Sequence, residues 1–183
     1  MNASALVGIG ALAAAAGALA LRLSRSVVAP LSARRKAVLA FLSEVIPSQY
    51  GSEGFKRIAP SYDPDDPSLP RNAAGELTYT TCGELPCAVG RFLHADKCIT
   101  QGGLNQMRDN GRKVGAWTDA NGSNRPRPGD PFAIQNSTGL IVHVGVIVDA
   151  SGPVWKTADA GQGGRGAGQR AEYILRPYDA KTV

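Results

Sequence analysis

LIVHVGVIVDASGPVWKTAD, residues 140–159, decides how this chain folds. It reads as a β-strand, a tight turn and a second strand. Leu140, Val142, Val144, Val146 and Val148 fall on one face of the first strand, with His143, Gly145 and Ile147 on the other. A histidine fixed on a strand beside a glycine is well held, and the missing side chain leaves room for another backbone or a substrate. On the second strand Trp155, Thr157 and Asp159 share one face.

Working outward, Arg127-Pro128-Gly129-Asp130 is a rigid turn leading into the apolar run Phe132-Ala133-Ile134. The apolar segments predict strands at about 131–136, 140–149, 153–159 and 170–176. Farther upstream, Thr81-Cys82-Gly83-Glu84-Leu85 opens a helical pattern that should run to Leu93, with Leu85, Val89, Phe92 and Leu93 toward the core. Thr80 and Thr81 are placed to cap it, and Pro86 is tolerated because it lies in the first turn. A second short helix is predicted over Leu104–Arg112, ended by Gly111. Helices come first and an antiparallel sheet follows, so the class is α+β.

In the N-terminal third, Ser32 can cap an amphipathic helix to Ile46, with Val38, Leu39, Leu42, Val45 and Ile46 at helical spacing and Pro47 as the stop. The stretch from Tyr50 to Tyr79 interleaves Pro60, Pro64, Pro67 and Pro70 with Asp63, Asp65 and Asp66, and reads as a linker. Its DPDD cluster matches no EF-hand spacing and is a solvated turn. Three parts result: 1–31, a hydrophobic Ala/Gly-rich segment with a basic flank; 32–78, the amphipathic helix and linker; and 79–183, the domain that carries the helices and sheet described above.

The net charge of +5 comes from Arg22, Arg25, Arg34, Arg35 and Lys36, which all precede the first acidic residue, Glu44. The chain beyond Lys36 is formally neutral, and no cluster of cations with stacking aromatics marks a nucleic-acid partner. Ala5 to Leu21 is an uncharged run of 17 residues, at the short end for a membrane span. No basic residue precedes it, unlike a secretory signal. Positive-inside reasoning places the chain beyond Arg22 in the cytoplasm. An uncleaved export anchor and a weakly inserting segment compete with that reading, and a soluble Ala-rich helix is the plain alternative. Membrane association through residues 5–21 is the expectation.

The chemistry centres on a thiol. A cysteine is a useful nucleophile as thiolate, and the start of a helix lowers its pKa. Cys82 has that placement, whereas Cys87 and Cys98 fall inside or beyond the helix and read as small buried apolar side chains. An odd count of three cysteines argues against a disulfide scaffold, with a single pair still open. Only His94 and His143 could serve as base. His94 would lie about 18 Å along the helix from Cys82, out of reach, which leaves His143. The group that orients the imidazole should come from the next strand, and Asp159 is selected there, with Thr157 and Gln162 behind it. Asp159 also has the look of a turn residue before Gly161. The backbone N–H of Cys82, with a side chain such as Tyr79, would stabilise an oxyanion.

Cysteine at a helix start, a PGD turn and a His-Val-Gly strand followed by a polar residue resemble the NlpC and CHAP groups of papain-like cysteine peptidases and amidases. The resemblance covers roughly Tyr79 to Tyr178. Members often carry Asp-Cys-Ser-Gly where this chain has Thr81-Cys82-Gly83-Glu84, and the third polar position here is two to four residues late. The resemblance implies a papain-like fold with N-terminal helices packed on an antiparallel β-sheet, and Cys82, His143 and Asp159 as catalytic residues. It further implies hydrolysis of an amide bond in peptidoglycan, within the stem peptide or between sugar and peptide, without metal or cofactor. A wall-lytic protein of a bacterium or phage, or a toxin delivered to the periplasm and met by an immunity protein, would place the domain in the cell envelope or outside the cell. Relatives outside wall chemistry deamidate proteins or transfer acyl groups, and a catalytically inactive copy would be a binding protein.

Two rival motifs stand beside this reading. Cys82, Cys87, His94 and Cys98 offer four zinc ligands at loose spacing. Gly161-Gln162-Gly163-Gly164-Arg165-Gly166 matches GxGxxG, but a strand rather than a helix comes after it, so a loop beside the active site is expected.

Overall fold

The computed structural model describes residues 30–95, 99–100, 103–119 and 125–177. The run Ala5–Leu21 and Cys98 lie outside the described residues. Among those described, no helix is long and apolar enough to cross a membrane.

The elements in chain order are α1 (Ala33–Val45), β1 (Ser48–Gln49), α2 (Glu53–Ile58), a 3₁₀ turn at Thr81–Gly83, α3 (Glu84–Phe92) and α4 (Leu104–Lys113). Then come β2 (Pro131–Gln135), β3 (Ile141–Asp149), β4 (Val154–Gln162), a 3₁₀ turn at Gly166–Gly168 and β5 (Arg170–Pro177). All five strands form one antiparallel sheet in the order β1-β5-β4-β3-β2. The class is α+β, helices with an antiparallel sheet, and the four predicted strands appear within a few residues of their expected limits.

The main core lies between helices and sheet. Phe41, Leu42 and Val45 of α1, Phe55 and Ile58 of α2 and Leu85 and Ala88 of α3 pack with Val146, Ala158, Ala160 and Ala171 of the strands. The strand residues on this side are mostly small, which lets the helices sit close to the sheet. Ser32 caps α1 as expected, its hydroxyl accepting from the Arg35 N–H at 3.3 Å. The stretch read as a linker is not one. It carries α2, capped by Ser52, and sends Phe55, Ile58 and Leu77 into buried positions within the compact unit 31–183. Its aspartates make local turns, Asp63 accepting from the Asp65 N–H and Asp66 from the Ser68 N–H.

On the other face of the sheet Phe132, Ile147, Ala150 and Trp155 form a smaller core. This bears out the placement of Ile147 away from the Val144/Val146 face, and Trp155 of β4 joins it there. The alternation fails at the start of β3, where Leu140 and Val142 are exposed and Ile141 is buried. The register explains it: Ile134 pairs with His143 but Gln135 pairs with Ile141, so β3 carries one extra residue there and the phase of its side chains shifts.

The PGD turn ties α1 to the sheet. Asp130 accepts from the Arg127 N–H at 2.8 Å and pairs with Arg35 at 2.6 Å, while Arg35 also donates to the Pro128 carbonyl. Gly129 takes φ +88°, and its N–H donates to the Ile147 carbonyl.

Candidate active site

Cys82 does not sit inside α3. It occupies the 3₁₀ turn that runs directly into that helix, still at its positive end. The threonines expected to cap the helix have other partners. The Thr80 hydroxyl lies 3.3 Å from Cys82 Sγ, and the Thr81 hydroxyl and N–H both donate to Gln169 Oε1 at 2.7 Å. Gln169 is fully buried, and its Nε2 donates to the Tyr62 hydroxyl at 2.7 Å and toward the Tyr79 carbonyl. One amide thus fastens the Cys82 turn to the start of β5.

The structure brings Cys82, His143 and Asp159 together. His143 Nε2 is 2.5 Å from Asp159 Oδ1, and the imidazole and the Cys82 thiol are near enough to shift one another's titration. With Nε2 engaged by the carboxylate, Nδ1 is the nitrogen left for sulfur. Asp159 is completely buried and is no turn residue. Besides His143 it accepts from the Thr157 hydroxyl on Oδ2 and from Arg176 Nη2 at 2.7 Å on Oδ1. Of the two alternatives, Thr157 therefore supports Asp159, while Gln162 only approaches the carbonyl of Ala160 at 3.5 Å.

The His-Val-Gly motif has a packing reason. A side chain on Gly145 would meet the Ala158 carbonyl and the Phe132 ring, each at 2.7 Å. The space is filled by Phe132, whose ring centroid is 6.2 Å from that of His143. Gly145 thus serves to seat the aromatic ring that walls the imidazole.

Burial pushes the Cys82 thiol up, but hydrogen bonds from His143 and Thr80, the charge on His143 and the Val144 N–H outweigh it and bring the thiol below its ordinary value. For His143 burial acts downward, yet the bonds to Asp159 and Cys82 raise it to about 9. Burial of Asp159 is likewise overcome by His143, Thr157 and Arg176, which hold it below the usual carboxylate range. Each shift favours the charged form, so the arrangement stabilises thiolate, imidazolium and carboxylate in a row. Such a thiolate can attack an electrophilic carbon, with a proton held beside it for a leaving group.

The Gly-rich stretch is the loop between β4 and β5. Gly161 has φ +75°, and a Cβ there would lie 2.9 Å from the backbone nitrogen of Cys82. Only glycine lets the loop approach the nucleophile's N–H so closely. No α-helix comes next to receive a phosphate; a 3₁₀ turn and β5 do. Tyr79, expected at an oxyanion site, donates its hydroxyl to Glu84 Oε1 at 2.9 Å and is tied to the start of α3.

Cys87 is buried as expected but is not a simple apolar thiol: it is disulfide-bonded, and Cys82 is free. That bond also removes Cys87 from the set of four zinc ligands. Among the described residues no group of three or more His, Cys, Asp or Glu could hold a metal ion.

Arg176, Gln169 and Tyr62 were not found from sequence. Arg176 sits opposite Trp155 in the β4–β5 ladder, so only the register puts it on the Asp159 face. Compared with protein-family models, with curated proteins and with solved structures, the chain matches none.

Proposed function

We propose that this chain is a papain-like cysteine hydrolase of the NlpC/CHAP type that cleaves an amide bond, with peptidoglycan as substrate. The observation that carries the reading is the Cys82–His143–Asp159 constellation, with the thiol lowered and the imidazole raised to about 9. The chain order of a cysteine at a helix start, a histidine on a strand and an acid on the next strand supports the family resemblance. The Cys87 disulfide supports the cell envelope or periplasm over the cytoplasm, because disulfides persist in oxidising compartments.

In the mechanism the Cys82 thiolate attacks the amide carbonyl, and the Cys82 N–H faces the developing oxyanion. The C–N bond breaks as the His143 imidazolium gives its proton to the leaving amine, leaving an acyl group on sulfur. Neutral His143 then takes a proton from water, whose oxygen attacks the acyl carbon. The C–S bond breaks, thiolate leaves beside imidazolium, and the carboxylic acid released gives its remaining proton to solvent. Asp159 holds His143 in the required tautomer throughout.

The test incubates the full chain and Cys82→Ala with purified peptidoglycan and reads soluble fragments by mass spectrometry. Release by the wild type alone supports the proposal and identifies the bond. If the wild type releases nothing while iodoacetamide labels Cys82 rapidly, the substrate is another amide, as in protein deamidation or acyl transfer. A sluggish Cys82 would make the chain a binding protein.

A further inference from the structure

We infer that Arg176 is a positioning residue of this site, whose guanidinium fixes the direction of the Asp159 carboxylate and limits how firmly that carboxylate holds the proton on His143. This rests on reading Cys82 and His143 as nucleophile and base.

Arg176 Nη2 lies 2.7 Å from Asp159 Oδ1, the same oxygen that meets His143 Nε2 at 2.5 Å. Its Nε is 3.3 Å from Thr157 Oγ1, and that hydroxyl donates to Asp159 Oδ2. Arg176 therefore grips the carboxylate directly and also the group that holds the second oxygen. Its guanidinium carbon stands 5.9 Å from the centroid of Phe132, the ring that walls His143. Arginine, carboxylate, imidazole and phenyl ring close into one circuit drawn from β5, β4, β3 and β2.

A surface pair of this kind would be worth little, but Asp159 is wholly buried, and a buried carboxylate left without its cation is strongly disfavoured. The charge on Oδ1 is shared between two donors. The guanidinium consequently keeps Asp159 ionised while it repels a protonated imidazole across the shared oxygen. The titratable groups facing His143 are Cys82 from the nucleophile turn and Asp159 from β4, with the uncharged Phe132 from β2. Those facing Asp159 are His143 and Arg176, beside the Thr157 hydroxyl. Arg176 is the one permanent charge in this circuit. It lets the imidazolium remain acidic enough to release its proton to a leaving amine.

The experiment follows the His143 imidazole by proton NMR across pH in the full chain, with His94→Gln to assign the two histidines. Wild type, Arg176→Gln and Arg176→Lys are compared, and thermal melts check folding. In Arg176→Gln the His143 titration moves up by on the order of one pH unit, the scale of one close charge. Peptidoglycan cleavage loses kcat about tenfold with little change in KM, and the basic limb of its pH profile rises by the same amount. Arg176→Lys restores the wild-type titration. An unmoved His143 in a folded Arg176→Gln protein overturns the inference. So does a folded Arg176→Lys protein whose His143 titration is displaced from wild type by the full pH unit, which decides the matter even if Arg176→Gln does not fold. Because the NMR readout needs no substrate, a shifted His143 beside an unreactive wild-type Cys82 supports the positioning role and sinks only the hydrolase reading.

Discussion

Gln169→Leu removes one buried amide of nearly the same volume as its replacement, so the change isolates hydrogen bonding from packing. In the wild type Gln169 Oε1 accepts from both the N–H and the hydroxyl of Thr81. Its Nε2 donates to Tyr62, whose hydroxyl in turn donates to the Gly166 carbonyl and so keeps a partner. Thr81 is completely buried, and leucine leaves its two donors without that acceptor. Each buried group left unpaired costs about 1–3 kcal/mol, so the loss should be about 2–6 kcal/mol. For a folded unit of this size, at about 2–4 °C per kcal/mol, that corresponds to a fall in Tm of about 4–24 °C. Urea unfolding should show a lower midpoint at an unchanged slope. Because Thr81 precedes the nucleophile, iodoacetamide labelling of Cys82 at neutral pH should also slow, even well below the melt. A variant within 0.5 kcal/mol of wild type, roughly the range of a neutral surface change, would mean that the Cys82 turn is not held by this amide.

The pH dependence has a definite sign. His143 is raised from 6.5 to about 9 in the folded protein, so its contribution to stability is complete below pH 6.5 and is lost as pH rises through about 9. Wild-type Tm should therefore drop over that window more than that of His143→Ala. Asp159, held below its ordinary value, acts oppositely, losing its contribution as acid protonates it below 3.8. Amide cleavage should fall on the basic side near pH 9 as the imidazolium deprotonates, whereas alkylation of Cys82 should not, since the thiolate persists. Gly161→Ala should abolish Cys82 labelling and cleavage. The alanine must take φ +75°, costing about 1–2 kcal/mol, and its Cβ would abut the Cys82 nitrogen. With three cysteines, Cys82 free and Cys87 disulfide-bonded, intact mass should show one iodoacetamide adduct before reduction and three after unfolding and reduction. Cys87→Ser should cost about 2–4 kcal/mol in a urea melt; an unchanged midpoint would show that the bond does not brace α3.

Local patterns made much of this molecule legible from sequence. Alternation in Ile141–Asp149 and Val154–Gln162, a capping serine before α1 and a cysteine at a helix start are each written within a few consecutive residues. Cys82, His143 and Asp159 could therefore be selected, since chemistry restricts the choice to few residue types and only two histidines exist. The departures arise where a residue's role depends on partners far along the chain. Prolines and aspartates concealed α2, whose stability comes from Phe55 and Ile58 entering a core shared with α1 and α3. The extra residue at the start of β3 inverted which of Ile141 and Val142 is buried, because register is set by pairing with β2. Three cysteines left a single disulfide pair open, but nothing local assigned it to Cys87, since burial and bonding look alike in sequence.

Periodicity and intrinsic pKa are local properties, so the order of residues alone specifies the strands, the class of the fold and which side chains have suitable chemistry. The environment of those side chains belongs to the folded chain. Only the β4–β5 register brings Arg176 onto Asp159, only the approach of the Gly161 loop fits it against the Cys82 N–H, and only burial beside fixed donors makes the charged forms the favoured ones.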